Sequence, residues 1–272
     1  MEVKGEYSMS LFWIMAIIAL VFSSIGFKKY VWFISIGYGF SVAAIGAGLL
    51  ILGGAGLNAG TICASILFIL YGLRLGGYLT YRELKSASYN NKMKTEIKSG
   101  KGMSIGAKCA IWISAALLYV CETSPVIFRI SGGKGTDAFL IAGIVISVAG
   151  LVTETCADLQ KSAAKKVNPR RFVDTGLYKI VRCPNYFGEM LFWTGVFVGG
   201  IPALHGAPQW IAALAGYIGI IYVMFGGARR LEIRQNRTYG DDPVYQKYVK
   251  TTPIMIPFIP LYSVEKYKWL VA

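Results

Sequence analysis

Charged residues are scarce in this chain of 272 residues, where Asp, Glu, Lys and Arg together make up only 15%. Soluble domains carry about 25% charged residues. They are also less apolar than this sequence, which is 55% hydrophobic and has a mean hydropathy of +0.52. The scarcity excludes an ordinary soluble enzyme, a disordered chain and a collagen-like fibre. The composition is that of an integral membrane protein.

Histidine is almost absent, and the acidic residues are half as numerous as the basic ones. The single histidine, His205, excludes a histidine-based metal cluster and leaves no second histidine for a catalytic triad. The five cysteines form no CxxC pair, so neither a zinc site nor a disulfide framework is expected. The formal net charge of +14 belongs to an apolar chain, and nucleic acid is therefore not an expected partner.

Long apolar runs predict the fold class, because a helix needs about 20 apolar residues to cross the hydrocarbon of a bilayer. The expected fold is all-α, a polytopic membrane helix bundle of about seven transmembrane helices. It forms a single integral membrane domain over residues 1–272. The predicted spans are 10–27, 31–53, 61–81, 105–122, 137–157, 187–204 and 209–227.

Basic residues sort to one side of these spans. Of the 28 Lys and Arg residues, 24 fall in segments that are reached after an odd number of crossings. Positive charge collects on the cytoplasmic side of membrane proteins. The N-terminus is therefore predicted outside or lumenal and the C-terminus cytosolic. The segments are 28–29, 82–108, 158–186 and the residues from 228 onward.

Ionisable residues at the ends of spans are functional candidates, because they are costly near hydrocarbon. Arg74 lies in the third span, Glu154 and Asp158 end the fifth, and Glu189 opens the sixth. Glu154 and Asp158 are four residues apart and would share one helix face. The alternative interpretation is a structural ring of ion pairs that holds the helices to their basic loops.

The loop 165–189 combines cations, aromatic residues and two turns within a short stretch. Cations bind phosphates, aromatic rings stack on bases, and an Asn/Glu pair such as Asn185 and Glu189 can bind both sides of an amide. A phosphorylated dinucleotide fits this combination. A lipid headgroup at a basic juxtamembrane segment is the alternative.

The stretch from Gly176 to Glu189, with Gly-Leu-Tyr followed by Arg-Cys-Pro-Asn-Tyr-Phe-Gly-Glu, resembles the C-terminal signature of the steroid 5α-reductase family. The resemblance is greatest to that family's branch of general membrane reductases. It extends over roughly residues 70–260. It implies variable N-terminal helices over 1–60 and a reductase-like core over 61–262, with cytosolic cofactor loops at 82–104, 158–186 and 228–262.

The resemblance implies that NADPH reduces a conjugated carbon–carbon double bond in a lipid-like substrate, such as an isoprenoid, an enone or a sterol-like molecule. Tyr71 falls on the position of the proton-donating tyrosine. Asn185 and Glu189 would hold the nicotinamide carboxamide, and Asp158 and Glu154 would meet the sugar or adenine side. The full set of implied cofactor-binding residues is Arg74, Tyr78, Glu154, Asp158, Lys165, Arg170, Arg171, Tyr178, Arg182, Asn185, Tyr186, Glu189 and Arg230.

The sequence departs from the family pattern at two positions. Steroid-reducing members carry a glutamate in span two, whereas the polar groups of span two are here Ser35, Tyr38 and Ser41. Cys183 stands where a histidine commonly precedes Pro184. The first departure leaves open how the substrate carbonyl is held. The second leaves open one contact to a cofactor phosphate, because a neutral cysteine cannot supply the positive charge of a histidine.

Two other functions remain open at the level of sequence. The Gly-Leu-Tyr … Arg-x-Pro-x-Tyr framework also occurs in membrane methyltransferases of the isoprenylcysteine carboxyl methyltransferase type, which use S-adenosylmethionine. A cofactor-binding relative without activity is the other alternative. Membrane lipids are expected partners, and the oligomeric state is open. The location would be the endoplasmic reticulum in a eukaryote or the inner membrane in a bacterium.

Overall fold

The computed structural model describes residues 2–85 and 102–271, with side chains from residue 9 onward. These residues form helices and connecting segments, and no strand occurs within the described ranges. The all-α prediction is therefore confirmed. The α-helices are α1 (Glu2–Ser23), α2 (Ile36–Leu52), α3 (Ala59–Lys85), α4 (Ile105–Ser131), α5 (Ala138–Val167), α6 (Pro184–Gly200), α7 (Gly206–Tyr239) and α8 (Pro243–Thr251).

Six helical segments of the described chain are long and apolar enough to cross a membrane, which supports a multi-pass membrane protein. They match six of the seven predicted spans. The remaining span, 187–204, falls on α6, which has 17 residues. At 1.5 Å per residue α6 extends about 26 Å, less than the roughly 30 Å of hydrocarbon. The seventh crossing and the orientation of the termini stay predictions.

The chain divides into two compact units, which we call unit one and unit two. Unit one consists of residues 1–144 and 196–217, and unit two consists of residues 145–195 and 218–272. Tyr71, Arg74 and Tyr78 belong to unit one. The other predicted site residues belong to unit two.

Glycines allow helices of unit one to pack at backbone distance. A Cβ on Gly46 would lie 2.6 Å from the Ser65 carbonyl oxygen, so α2 packs directly on α3. Small residues permit this close approach in membranes.

Helix α4 is longer than predicted. The sequence places the end of span four at residue 122, but α4 continues to Ser131, and Arg129 in this extension is fully buried. The hydroxyls of Thr123 and Ser124 donate to carbonyls of the preceding turn, which allows the helix to continue through Pro125. The predicted loop after residue 122 is therefore wrong.

Arg129 is stabilised in this buried position by acceptors from several segments. Its Nε donates to the Gly199 carbonyl across 3.0 Å, and its Nη1 donates to the Gly135 carbonyl. Its Nη2 lies 2.8 Å from both carboxylate oxygens of Asp137. A buried charge with this set of acceptors can be stable where an unpaired one would not.

Unit two contains a similar close helix contact. A Cβ on Gly150 would lie 2.4 Å from the Phe192 amide nitrogen, and one on Gly188 would lie 2.6 Å from the Glu154 nitrogen. Ser147 Oγ also donates to the Phe192 carbonyl across 2.9 Å. Helices α5 and α6 therefore pack backbone to backbone at the positions that carry Glu154 and Glu189.

Candidate functional site

Tyr71 lies on α3 in the interior of unit one, where its side chain is fully buried. Its hydroxyl donates to the hydroxyl of Tyr38 on α2 across 3.0 Å. The two rings are 6.1 Å apart in an edge-to-face arrangement. The predicted proton donor therefore has a second phenol as its immediate neighbour.

Two glycines bring these phenols together. Tyr38 precedes Gly39 and Tyr71 precedes Gly72 in the sequence. A Cβ on Gly39 would lie 2.5 Å from the Gly76 nitrogen, and a Cβ on Gly72 would lie 2.3 Å from the Gly39 carbonyl oxygen. Real Cβ atoms do not approach other atoms this closely, so the separation of α2 and α3 depends on glycine at both positions.

Tyr119 on α4 completes the buried cluster. Its ring lies 4.8 Å from the ring of Tyr38, and its hydroxyl donates to the Phe33 carbonyl across 2.6 Å. Tyr38 therefore contacts both Tyr71 and Tyr119, which restricts the position of its ring. We call Tyr38, Tyr71 and Tyr119 the tyrosine cluster.

Arg74 and Tyr78 follow Tyr71 by three and seven residues and therefore lie on the same face of α3. Both residues are half-buried. The guanidinium of Arg82 lies over the ring of Tyr78, 5.6 Å from its centroid. This face of α3 thus presents a phenol, a cation and an aromatic ring in succession.

In unit two, the close contact of α5 with α6 brings acidic residues towards the beginning of α6. Glu154 and Glu189 are buried, whereas Asp158 and Asn185 are half-buried. Asn185 and Glu189 are four residues apart on α6 and share a face. A contact between the backbones of residues 154 and 188 places two acidic side chains on adjoining helix surfaces.

Two cations at the loop between α5 and α6 already have partners, Lys165 in the last turn of α5 and Arg171 in the loop. Lys165 Nζ donates to the carbonyls of Pro169 and Arg171 and to the Tyr239 hydroxyl. Arg171 pairs with Asp174 at 2.7 Å. Lys165 and Arg171 would have to exchange these contacts to bind a phosphate, whereas the side chain of Arg170 is exposed.

Arg182 has a different environment, because it is 3% exposed. Its Nη2 donates to Glu232 Oε1 across 2.9 Å and to the Tyr262 carbonyl. Glu232 Oε2 in turn accepts from the amides of Val264 and Glu265. The Nε and Nη1 atoms of Arg182 are also buried, and the phenol of Tyr245 lies next to this guanidinium.

Tyr178 and Tyr186 lie at either side of this arginine in the sequence. Tyr178 is buried, its hydroxyl donates to the Ala157 carbonyl, and its own carbonyl accepts from Tyr248. Tyr186 is half-buried and lies within the electrostatic influence of Arg230, which is exposed. These contacts give Tyr178 a structural role and place a cation near Tyr186.

Cys183, the residue at the position of the common histidine, is a neutral thiol. Burial raises its pKa to about 12, although the charges of Arg182 and Lys161 oppose this effect. Its amide donates to the Ile254 carbonyl across 2.9 Å. Cys183 thus joins α6 to the segment that follows α8 and adds no charge.

A family model described as a protein of unknown function, DUF1295, matches residues 14–252. This chain belongs to the DUF1295 family. No curated protein and no solved structure matches it. Every residue predicted for the site lies inside the part of the chain that the DUF1295 model covers.

Two residues of this DUF1295 protein gain significance only from the structure. The sequence identified Tyr38 as a polar residue of span two but gave no reason to pair it with Tyr71. It also gave no reason to pair Glu232 with Arg182. The Tyr-Gly dipeptides at residues 38 and 71 are the one sequence signal that could have indicated the first pairing.

Proposed function

We propose that this DUF1295 protein is a membrane-embedded, NADPH-dependent reductase of a conjugated carbon–carbon double bond in a lipid-like substrate. The proposal combines the resemblance of residues 176–189 to the steroid 5α-reductase signature with the geometry of unit one. The observation that carries it is the buried hydrogen bond between Tyr71 and Tyr38, because it supplies a paired phenol at the position of the proton donor.

Tyr71 would act on the carbonyl that is conjugated with the double bond. A phenol can donate its proton to an oxygen that gains negative charge. In the structure Tyr71 donates to Tyr38. When Tyr71 turns its proton to the substrate, the Tyr38 hydroxyl rotates and donates to the Tyr71 oxygen, since each hydroxyl is both donor and acceptor. Tyr38 then stabilises the charge that remains on Tyr71.

When bound, NADPH supplies a hydride to the β-carbon. The carbonyl oxygen takes the Tyr71 proton, which gives an enol. As the α-carbon of the enol gains a proton from solvent, the oxygen returns its proton to Tyr71 and the ketone forms again. The product is saturated at this bond. No acidic residue of α2 takes part, because none occurs between residues 36 and 52.

The residues of unit two fit an anionic cofactor. Arg170 and Arg230 are exposed cations that a phosphate could reach. The buried guanidinium of Arg182 already contacts Glu232, the Tyr262 carbonyl and Tyr245, so it would add positive charge to this region without being its direct phosphate ligand. Asn185 and Glu189 would bind the carboxamide. Glu154 and Asp158 would accept from sugar hydroxyls.

One observation favours a second candidate, a methyltransferase that uses S-adenosylmethionine. Lys165 and Arg171 already contact their own loop, and S-adenosylmethionine has no phosphate that would require these cations. The test below therefore includes S-adenosylhomocysteine, the product form of that cofactor.

Binding of NADPH to purified Asn185→Ala and Glu189→Gln variants tests the proposal. Each variant should raise the Kd by about tenfold or more, because each loses a hydrogen bond to the carboxamide. The Asp241→Asn variant, which removes an acidic charge from an exposed position of unit two, is the control and should bind normally. Unchanged affinity in both α6 variants would contradict the cofactor assignment. Binding of S-adenosylhomocysteine in place of NADPH would favour the methyltransferase.

A further inference from the structure

The residues Val264–Val271 run back along helix α7, and we call them the return segment. Its beginning is fixed by two residues of α7. Arg229 Nε donates to the Glu265 carbonyl across 2.9 Å, and the Glu232 carboxylate accepts from the amides of residues 264 and 265 at 2.8 and 3.0 Å. The segment therefore starts at the level of Arg229 and Glu232.

The other end of the return segment contacts Tyr222. The Tyr222 hydroxyl donates to the Trp269 carbonyl across 2.7 Å, and the Val271 amide donates to the Tyr222 oxygen across 3.1 Å. The rings of Tyr222 and Trp269 are stacked with centroids 6.2 Å apart. Tyr222 precedes Arg229 by seven residues, or about 10 Å along a helix. The segment is thus antiparallel to α7 and covers about 10 Å of its length.

This direction leads into the apolar part of α7. Residues 206–228 contain no charged side chain, and Arg229 is the first cation after them. Helix α7 is one of the candidate membrane spans. The interfacial layer on each side of the hydrocarbon is only about 5–7 Å thick. A segment that reaches Tyr222 from Arg229 therefore extends to the edge of the hydrocarbon.

The side chains at this level are apolar and face outward. Trp269 is 66% exposed and Val271 is 71% exposed, whereas Leu270 between them is 4% exposed and packs inward. In water, the exposure of these two apolar side chains would be unfavourable. At a bilayer interface they are in the environment where tryptophan is enriched, because its ring is apolar and its N–H is polar.

The backbone of the return segment also suits an apolar environment. In a membrane, non-helical backbone must satisfy its own hydrogen-bonding groups, since no water is present to do so. Four backbone amides of the segment donate to carbonyls within the segment at 3.0–3.1 Å. The Trp269 carbonyl accepts from the Tyr222 hydroxyl. The four donor residues are Tyr267, Lys268, Leu270 and Val271.

The charges of the segment lie towards its beginning. Lys266 and Lys268 are exposed, and the one acidic residue, Glu265, accepts from Asn236 Nδ2 across 2.7 Å. Long lysine side chains can lie along apolar surface and extend their ammonium groups to the headgroups. Anionic headgroups attract such lysines.

We propose that the return segment is a membrane-interface anchor whose partner is the bilayer surface. Trp269 and Val271 contact lipid at the edge of the hydrocarbon, and Lys266 and Lys268 bind the phosphate groups of anionic lipids. The proposal rests on the geometry of α7 and not on the proposed reductase activity. The return segment therefore fixes the end of α7 at a defined depth.

Site-directed spin labelling tests the depth of the segment. The variants Trp269→Cys and Val271→Cys would each be labelled with a nitroxide in a background in which the exposed Cys63 and Cys156 are replaced by serine. The label at Asp241→Cys, in the exposed turn after α7, is the matched control. The protein is reconstituted in nanodiscs that contain phosphatidylglycerol.

Labels at 269 and 271 should collide mainly with oxygen, which concentrates in the bilayer, and the label at 241 mainly with a water-soluble nickel chelate. Two separate label sites keep the test valid if one substitution disturbs the fold. Collision ratios at 269 and 271 equal to the ratio at 241 would overturn the anchor.

The lysines are tested by the lipid that stays bound after extraction. The double variant Lys266→Gln/Lys268→Gln should retain about tenfold less phosphatidylglycerol in native mass spectrometry, because two charges near the headgroups are lost. The control Lys247→Gln/Lys250→Gln removes the same charge from exposed positions of α8 and should retain the wild-type amount. Equal retention in the two double variants would refute the lysine contacts.

Discussion

The Tyr71 hydroxyl donates a hydrogen bond of 3.0 Å to the Tyr38 hydroxyl in the interior of unit one. Tyr38 lies on α2, which lacks the acidic residue that steroid-reducing enzymes carry in span two. The buried phenol of Tyr38 can hold Tyr71 in place and donate to its oxygen, but it lacks the negative charge of a carboxylate. The substrate carbonyl would therefore be bound through Tyr71, with Tyr38 as the positioning residue.

Removal of each phenol should separate catalysis from binding. Tyr71→Phe should lower kcat by about 10²–10⁴-fold, the range typical for loss of a general acid, and leave the Kd for NADPH within about twofold. Tyr38→Phe should lower kcat by a smaller factor of about tenfold, because Tyr71 is still present without its donor. Steady-state kinetics with an enone lipid and NADPH provide the measurement.

The control for these variants is Tyr81→Phe, which removes a phenol from an exposed position of the same helix. Its kcat should equal that of the wild type. A Tyr71→Phe enzyme with full turnover would refute the role of Tyr71 as proton donor. Full turnover of Tyr38→Phe together with an inactive Tyr71→Phe would refute the positioning role of Tyr38 alone.

The glycine contact between α2 and α3 predicts that alanine substitutions at two nearby glycines of α3 change the free energy of unfolding in opposite directions. Gly72→Ala would place a Cβ 2.3 Å from the Gly39 carbonyl oxygen and should lower the free energy of unfolding by about 1–3 kcal/mol. Gly77→Ala meets nothing within 4 Å and should raise it by up to about 1 kcal/mol through helix propensity. Unfolding in mixed detergent micelles provides the measurement, and equal stability of the two variants would contradict the close packing.

Two Arg–Asp pairs of the chain should differ in their contribution to stability. Asp137→Ala removes the carboxylate from the fully buried Arg129 and should cost about 3 kcal/mol. Asp174→Ala removes the partner of Arg171, whose side chain is 51% exposed, and should cost less than about 1 kcal/mol. Comparable losses in the two unfolding titrations would show that Arg129 does not depend on this pair.

The buried thiol of Cys183 should make the free energy of unfolding depend on pH in the alkaline range. Burial raises its pKa from 9.0 to about 12, so the thiol is protonated in both the folded and the unfolded state below pH 9. Above pH 9 the unfolded state loses its proton first, and the free energy of unfolding falls by up to about 1.4 kcal/mol per pH unit. Unfolding titrations between pH 8 and 10 measure this slope.

Replacement of the thiol isolates this effect. Cys183→Ala should reduce the slope, whatever its effect on the stability at pH 8. Identical slopes in the wild type and in Cys183→Ala would mean that the thiol ionises normally in the folded protein.

The sequence predicted the helical class and six of the seven spans, because apolar runs of this length are unambiguous. It placed the end of α4 too early at the run Glu-Thr-Ser-Pro from residue 122 to residue 125. The buried Arg129 in the extended part of this helix donates to the carbonyl of Gly199, which is 70 residues away in the chain. Acceptors at that separation cannot be identified from a local pattern.

The residues of the candidate site were predicted as a set, but their contacts were not. Lys165 was predicted to bind phosphate from its charge and from the family resemblance. Its hydrogen bonds to Pro169 and Arg171 depend on how the loop folds. Similarly, the distance between Tyr38 and Tyr71 depends on the packing of α2 on α3. Composition identifies which groups are present, whereas packing decides which groups meet.

The most direct test of the proposed reductase is the melting temperature of the detergent-purified protein with NADPH, NADP⁺, NADH or S-adenosylhomocysteine. A ligand at 100 times its Kd adds about 2.7 kcal/mol to the stability of the folded state, which is enough to detect. We expect stabilisation by NADPH and NADP⁺ and little by NADH, since the cations of unit two would bind the 2′-phosphate. Stabilisation by S-adenosylhomocysteine alone, or by none of the four, would contradict the assignment of this DUF1295 protein as an NADPH-dependent reductase.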